Sequence, residues 1–299
     1  MSAVEIKARL SLRSLIFLTD FSEPSEAALP FALALAREYG ATIHALHVLV
    51  PEAYLAATPE SSMAGIEAQE EYAQVEMQRT DSSLAGVAHD VSVVRGTDVW
   101  PVLRQVMATQ NADMIVLGTH GRTGAQKFLL GSVAEEVFRQ SEVPVMTIGP
   151  RVQVGRHSGA RFHHVLYATD FTPESRAAAP YAVSIAQENQ AQLILFHAIH
   201  GKKTGKERPT PESSVAHALH ELLELVQPEG ELWCRPEPVV KYGEPAAKVL
   251  AEAAERHADL IVLGVRNAAG RLGAATHLER SVAHRIVVNA RCPVLTVRG

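Results

Sequence analysis

The sequence predicts an α/β protein with two tandem domains of one fold, each a mostly parallel five-stranded sheet between two layers of helices. Short apolar runs rich in β-branched residues alternate with longer amphipathic segments, as strands and helices do in parallel sheets. The chain has 299 residues, which is long for a single domain. The pattern of the first half also recurs in the second half, so we expect one fold to occur twice.

Composition limits the classes of protein that fit. Apolar residues make up 47% and charged residues 20% of the chain, which is ordinary globular composition. The net charge of -5, without a dense basic run, predicts no nucleic-acid partner. Two cysteines, Cys234 and Cys292, are too few for a disulfide framework and indicate a reducing compartment. Because the sequence has neither a signal-peptide core nor a membrane-length apolar run, we expect a cytoplasmic protein with no membrane partner.

The elements of the first half follow in a regular order. A helix is expected to begin near Ser25, after the first strand, and to end at Gly40, because glycine commonly terminates helices. Residues 51–64 are polar or small and predict a loop. The segment 98–112 has apolar residues at the spacing of a helix that faces a sheet. The predicted strands are 15–18, 41–50, 91–94, 114–117 and 143–148, and the other predicted helices are 66–85, 98–112 and 132–140.

The second half repeats these elements. VLYATDFTPESRAAAPYAVSIA, near residue 165, matches LIFLTDFSEPSEAALPFALALA, near residue 15. ADLIVLG and CPVLTV later in the chain match ADMIVLG and VPVMTI. We therefore place one domain at 1–150 and a second at 161–299, joined by a polar linker at 149–160. Each domain ends in a strand that leaves a sheet edge, and pairing of these two strands would make an intramolecular pseudo-dimer.

One stretch has the features of a phosphate site. The strand 114–117 ends at Gly118, a glycine-containing loop follows, and Ser132 begins an amphipathic run with Glu135 three residues later, the spacing of a capping box. A strand end, exposed loop amides and a helix amino terminus together suit a polyanionic phosphate. The spacing is neither that of a Walker loop nor G-x-G-x-x-G.

The same glycines carry a family resemblance. Gly118, Gly121, Gly131 and Ser132 stand at the spacing G-x2-G-x9-G-[ST], which resembles the signature of ATP-binding universal stress proteins of the tandem two-domain type. The resemblance implies Rossmann-like domains, similar to the adenine nucleotide alpha hydrolase fold. It also implies ATP, alone or with Mg²⁺, as the ligand.

The resemblance carries over to particular residues. It implies that Asp20 contacts the adenosine with Thr19 beside it, that the main chain of Val48 holds the adenine edge, and that the loop glycines admit ribose and phosphates. From the residues alone, Asp20 also fits a partner of the following helix, and Arg122 with Lys127 fits either phosphate neutralisation or solvated loop charges. The predicted binding residues are Thr19, Asp20, Val48, Leu117, Gly118, His120, Gly121, Arg122, Gly131, Ser132 and Val133.

Other titratable residues receive structural interpretations. His44 and His47 are neither two nor four residues apart, and His163 and His164 point to opposite faces of a strand, so we predict no metal site and structural roles for all four. His120 is expected to line a nucleotide rather than to catalyse. We predict no catalytic residue.

The second copy departs at the glycine loop. Gly264 is retained, but Asn267 stands in place of Gly121, the loop is three residues longer, and Arg280 replaces Gly131. His284 stands in place of Glu135, so the capping box is expected to be lost. We therefore predict one nucleotide site, in 1–150, and a degenerate second domain, in which Arg280 and the retained Asp170 leave residual binding open.

The functional hypothesis is an ATP-binding stress-response module that acts through an adenine nucleotide and an unknown protein partner. The first alternative is an enzyme, a slow ATP hydrolase or nucleotidyl transferase that uses Asp20 or His120. The second alternative is a scaffold that binds no nucleotide. The sequence leaves open whether two chains form a homodimer.

Overall fold

The computed structural model describes residues 10–50, 59–119, 130–152, 161–200, 211–226, 236–266 and 281–299, without the side chains of 59–64 and 211. The first half alternates strands and helices as the repeat pattern predicts. Its elements are β1 (Ser14–Leu18), α1 (Glu23–Glu26), α2 (Leu29–Tyr39), β2 (Thr42–Leu49), α3 (Pro59–Ser83), β3 (His89–Arg95), α4 (Val99–Gln110), β4 (Met114–Gly118), α5 (Ser132–Gln140) and β5 (Val145–Ile148).

The second half follows the same order. Its elements are β6 (His164–Ala168), α6 (Pro173–Arg176), α7 (Ala179–Asn189), β7 (Gln192–Ile199), α8 (Pro211–Leu225), β8 (Glu237–Tyr242), α9 (Pro245–Glu255), β9 (Leu260–Val265), α10 (Val282–Asn289) and β10 (Val294–Arg298).

These strands form a single sheet in the order β3-β2-β1-β4-β5-β10-β9-β6-β7-β8. Within each half neighbouring strands are parallel, and the chain leaves β1 toward β2 on one side and reaches β4 on the other. The strand order therefore reverses between β1 and β4, the place where open α/β sheets bind ligands. The predicted α/β fold class is confirmed.

The two halves meet through the predicted pairing of their last strands. β5 and β10 are antiparallel, with Val294 opposite Thr147 and Thr296 opposite Val145. The two threonines make equivalent hydrogen bonds between β5 and β10. Thr147 Oγ1 donates to the Val294 carbonyl at 3.1 Å, and Thr296 Oγ1 donates to the Val145 carbonyl at 3.2 Å. Arg298 adds a bond from its guanidinium to the carbonyl of Phe138, at 2.9 Å. The single chain thus has the architecture of a pseudo-dimer.

Helices cover both faces of the sheet, and each face has a continuous apolar core that runs through both halves. One core packs beneath α2, α3, α7 and α8 and contains the buried rings of Phe17, Phe31 and Tyr167. The other packs beneath α4, α5, α9 and α10, with Leu103 and Ile286 among its members. The apolar stripe predicted for α4 faces this second core.

Two predicted element boundaries are wrong. The helix expected to run unbroken from about residue 25 to Tyr39 divides into α1 and α2, because Pro30 lacks an N–H and fits only the first turn of a helix. Pro180 makes the same division between α6 and α7. The loop predicted at 51–64 ends early, since α3 begins at Pro59. The prediction failed because polar and small residues also occur in the first turn of a helix, where proline is favoured at the first position.

Tyr167 offers a test of the core. Its side chain takes the place of Phe17 in the repeat, and its hydroxyl donates to the Ser175 carbonyl at 2.8 Å. Burial raises the pKa of Tyr167 to about 12. We expect Tyr167→Phe to lower the unfolding free energy by about 1 kcal/mol at neutral pH, because a buried carbonyl loses its donor.

The pKa of Tyr167 also sets the pH dependence of this difference. Because the folded pKa lies above the unfolded value of about 10, the stabilisation is complete below pH 10 and is lost as pH rises toward 12. Near pH 11, ionisation of the tyrosine in the unfolded state lowers the unfolding free energy of the wild type by about 1.4 kcal/mol. Urea titrations should therefore show the stabilities of the wild type and Tyr167→Phe converging. Tyr242→Phe, at a side chain that is 45% exposed, is the control and should change stability little. A difference for Tyr167→Phe that persists undiminished at pH 11 would contradict the assignment.

Candidate functional site

A cleft of about 220 Å³ opens at the carboxyl ends of β1 and β4, beside the amino end of α5. Apolar side chains form much of its wall, and polar groups converge at the strand ends and at the helix terminus. It is lined by Leu18, Thr19, Asp20, Ser25, His47, Val48, Val99, Leu117, Gly118, Thr119, Gly131, Ser132, Val133 and Ala134. Of the predicted binding residues, eight meet here: Thr19, Asp20, Val48, Leu117, Gly118, Gly131, Ser132 and Val133. His120, Gly121 and Arg122 lie outside the described residues.

The end of β1 is held by a tight local network. Thr19 is buried, and its hydroxyl accepts the Phe21 N–H at 3.0 Å and lies 3.0 Å from the Ser25 hydroxyl. Asp20 Oδ1 accepts the N–H of Ser22 at 3.1 Å and its hydroxyl at 2.5 Å. Phe21 has a φ of 61°, which is a strained backbone for a bulky residue. The carboxylate of Asp20 therefore has a structural role, fixing the turn into α1, at the rim of the cleft.

His47 is a cleft residue that sequence reasoning missed. Its Nδ1 lies 2.9 Å from the Thr19 carbonyl, and its ring lies 4.4 Å from the ring of Phe21. The repeat contained the signal: His197 occupies the same place, 2.8 Å from the Thr169 carbonyl. His44, in contrast, points away and pairs with Asp90 at 2.5 Å, as its predicted structural role requires.

The amino end of α5 supplies backbone donors. Gly131 is the N-cap, and its N–H donates to the Thr119 carbonyl at 2.7 Å, which closes the base of the loop. The first helical bond runs from the Glu135 N–H to the Gly131 carbonyl. Helix geometry therefore leaves the N–H groups of the next three residues, 132–134, without an intrahelical acceptor. These amides border the cleft, where the positive end of the helix favours an anion.

The predicted capping box at Ser132 and Glu135 is wrong. Ser132 is already the first helical residue, and α5 has no side-chain capping bond. The prediction failed because the helix begins one residue earlier than the serine pattern suggests. The Ser132 side chain is exposed at the cleft, in a position to face a ligand rather than its own helix.

Gly118 is required by packing within the protein. A Cβ at this position would lie 2.4 Å from the carbonyl oxygen of Pro24 and 2.9 Å from the backbone nitrogen of Ser25. Gly264 is under the same constraint, at 2.1 Å from the Glu174 carbonyl oxygen. The retention of Gly264 in the second half therefore follows from how α6 packs on β9 and implies nothing about a ligand there.

Acidic side chains on α4 and α5 lie close to each other near the cleft. Burial, and then the charge of Asp98, raise the pKa of Glu136 above its ordinary value. Asp98 is the N-cap of α4 and directly precedes Val99 in the cleft wall. Among the described residues that line the cleft, none is a lysine or arginine, and the α5 amides there form the positive end of a helix dipole.

The second half has a counterpart cleft of about 170 Å³. Thr169, Asp170 and Gly264 are retained in it, but the helix terminus differs. Ser281 is the N-cap of α10, and its hydroxyl accepts the His284 N–H at 3.1 Å. The serine cap is therefore present in the second half, although His284 replaces the glutamate that a capping box requires. One amide that could face an anion is thereby occupied. Asn267 and Arg280 lie outside the described residues.

Asp170 keeps the local role of Asp20. Its Oδ1 accepts the N–H of Thr172 at 3.1 Å and the hydroxyl at 2.6 Å. Burial acts to raise its pKa, but hydrogen bonds from Thr172 and Ser175 outweigh it and lower the pKa below the usual value. Conservation of this aspartate between the halves is thus explained by the turn into α6.

Neither a metal-binding cluster nor a membrane-spanning helix occurs among the described residues. Within that part of the chain, no three histidine, cysteine or carboxylate side chains gather in a way that could hold a metal ion. No described helix is both long enough and apolar enough to cross a membrane.

The fold and cleft define a class: tandem α/β domains with a ligand-site geometry at the switch point of the sheet. The family model of the universal stress protein family matches residues 12–149 and again 161–298. The chain belongs to the universal stress protein family.

Individual relatives agree over most of the chain. A universal stress protein of Mycolicibacterium smegmatis is 27% identical over 291 residues, covering 93% of this chain and 95% of the relative. One from Mycobacterium tuberculosis is 30% identical over 204 residues, 66% of each chain. The crystal structure of a universal stress protein from Archaeoglobus fulgidus has a TM-score of 0.69, with 21% identity, over 95% of this chain and 98% of that one. The similarity to this crystal structure supports the assignment of the fold.

Proposed function

We propose that the first half binds an adenine nucleotide, ATP in preference, in the cleft between β1, β4 and α5, and that binding regulates the protein. One observation carries the proposal: the strand ends and the amides of 132–134 converge on one cleft. The base would lie against the apolar wall near Val48 and Val99, and the phosphates at the amino end of α5. Mg²⁺ would accompany the phosphates, with water completing its coordination.

The residues fit such a ligand. The helix end presents backbone donors and the exposed Ser132 hydroxyl, with no acidic side chain among the residues 131–134. At the amino end of α10 in the second half, the Ser281 hydroxyl accepts the His284 N–H. This difference supports one nucleotide site per chain, with the second half acting as the internal dimer partner.

A regulatory function fits the cleft better than turnover. Asp20 and His47 are the titratable side chains among its described lining residues. Asp20 Oδ1 is engaged by Ser22, and His47 Nδ1 by the Thr19 carbonyl. Both therefore fix the local structure, whereas phosphoryl transfer uses a group that positions or activates the nucleophile.

Calorimetric titration of the full chain with ATP, ADP, AMP and adenosine tests the proposal. Affinity is expected to fall with each phosphate removed, because each removal loses contacts with the helix terminus. Asp20→Asn should weaken ATP binding about tenfold by loosening the turn at the rim, and Asp170→Asn, the same change in the other half, should not. Equal affinities for ATP and adenosine, or equal effects of the two variants, would contradict the proposed site.

The enzyme alternative has its own test. Single-turnover incubation with ATP should leave the nucleotide intact for the regulatory function. Hydrolysis that disappears in His120→Ala while ATP binding persists would favour the hydrolase instead. Absence of any ATP binding would favour the scaffold.

A further inference from the structure

The outer face of α9 and α10 has an open groove of about 450 Å³ with an apolar floor and a basic rim, here called the basic groove. The exposed alanines of α9, Ala247, Ala251 and Ala254, form much of its floor. Arg285 and Arg291 are exposed on the α10 side, where Arg285 also pairs with Glu244 at 2.8 Å, and Arg151 comes from the segment after β5. The remaining lining residues are Leu250, Ala253, Ala258, Asn289, Ala290 and Cys292.

Helix α9 turns a carboxylate inward and alanines outward. Glu252 is 1% exposed and is held by Lys241 and by Arg256, whose Nε lies 3.1 Å from Glu252 Oε1. Its inner face also buries Ala246, Val249 and Ala253, as a surface helix usually does, so the unusual features are the buried carboxylate and the small outward side chains. The outward alanines let another helix approach closely.

The basic groove is not a requirement of the fold. At the equivalent positions of the first half, α4 has exposed Pro101, Arg104 and Gln105 instead of Ala247, Leu250 and Ala251. Glu136 and Glu142 stand where Arg285 and Arg291 stand in the second half. The two copies therefore share a backbone but differ in both polarity and charge on this face.

Helix α3 has a surface of the complementary kind. Tyr72 is 46% and Val75 is 45% exposed, and with the exposed Ala68 they form an apolar stripe at helical spacing. Exposed Glu67 and Glu71 run along the side of this stripe. We call this surface the α3 face. One turn beyond it, Arg79 is neutralised by Glu76 at 2.6 Å.

The strands that end each half are already paired with each other, so β5 and β10 offer no edge to a second chain. We propose that a second copy of this chain docks its α3 face into the basic groove. Tyr72 and Val75 would cover the alanine floor, and Glu67 with Glu71 would face Arg285 and Arg291. In this helix-in-groove interaction, the anchor side chains lie three and four residues apart on one helix, at Ala68, Tyr72 and Val75. The contact joins two different surfaces that lie on opposite faces of the sheet, so it is head-to-tail, and copies add in series unless a ring closes.

Sedimentation velocity of the full chain, from low micromolar to several hundred micromolar, tests the proposal. The sedimentation coefficient is expected to rise with concentration. Arg291→Glu should weaken association at least about tenfold, because it places like charges in contact, and Glu71→Arg should do the same. The double variant Glu71→Arg/Arg291→Glu exchanges the charges and is expected to recover association.

All of these positions are exposed, so the variants retain the core, and circular dichroism verifies the fold. Arg104→Glu, at the exposed position of α4 equivalent to Leu250, is the matched control and should leave association unchanged. A chain that stays monomeric at every concentration would overturn the proposal. So would association that Arg291→Glu and Glu71→Arg leave unaltered, or a double variant that associates as weakly as the single ones.

Discussion

Gly118→Ala is expected to destabilise the protein and abolish nucleotide binding in the first half. An added Cβ would lie 2.4 Å from the Pro24 carbonyl oxygen and 2.6 Å from its carbon. Both are backbone atoms and cannot rotate away, so α1 must move off the end of β4. We expect a loss of roughly 2–4 kcal/mol in unfolding free energy, at the upper end of what overpacking costs.

The loss of binding follows from the same movement. Displacing α1 displaces Thr19 and Asp20, whose hydrogen bonds run into the turn before it. Urea unfolding and ATP titration of the one variant measure both effects. Gly264→Ala is the matched control: its Cβ meets Glu174 at 2.1 Å, so it should destabilise comparably and leave ATP affinity intact. An alanine at 118 that is tolerated without loss of stability would contradict the packing.

Ser132→Glu is expected to weaken nucleotide binding without destabilising the fold. A carboxylate at the first helical position of α5 interacts favourably with the helix dipole, which should raise stability by about 0.3–1 kcal/mol. The same charge would occupy the place proposed for the phosphates and repel them. ATP affinity should fall on the order of a hundredfold, while adenosine affinity changes little.

Thermal unfolding and paired titrations with ATP and adenosine check this prediction. Val282→Glu puts the same charge at the first position of α10, where Val282 is 41% exposed, and should leave ATP affinity unchanged. If Ser132→Glu bound ATP as tightly as wild type, the phosphates would not lie at α5.

Much of the fold was predictable because its signals are local and repeated. Apolar runs such as 114–117 and the stripe of α4 set the strand and helix types, and the repeat fixed two similar halves. The convergence of Asp20 and Gly118 on one edge followed from parallel topology, since the carboxyl ends of parallel strands share a side. The pairing of β5 with β10 followed from the need to cover two sheet edges.

The errors arise where a residue's role depends on what packs against it. At Gly118 the sequence indicated close approach of a ligand, whereas a Cβ there would also clash with the backbone of Pro24, which the sequence did not show. The Ser132 pattern matched a cap, but a helix start can shift by one residue without altering the sequence pattern. The structural role predicted for His47 fits its bond to the Thr19 carbonyl, but the sequence did not show that the turn at Thr19 also brings it into the cleft wall.

Each chain is expected to have one nucleotide site, in the first half. Equilibrium dialysis of the full chain against labelled ATP, carried to saturation, measures the number of sites directly. The expected result is one ATP bound per chain, reduced to none at the same concentrations by Ser132→Glu. Two ATP molecules per chain, or one that Ser132→Glu leaves in place, would contradict it.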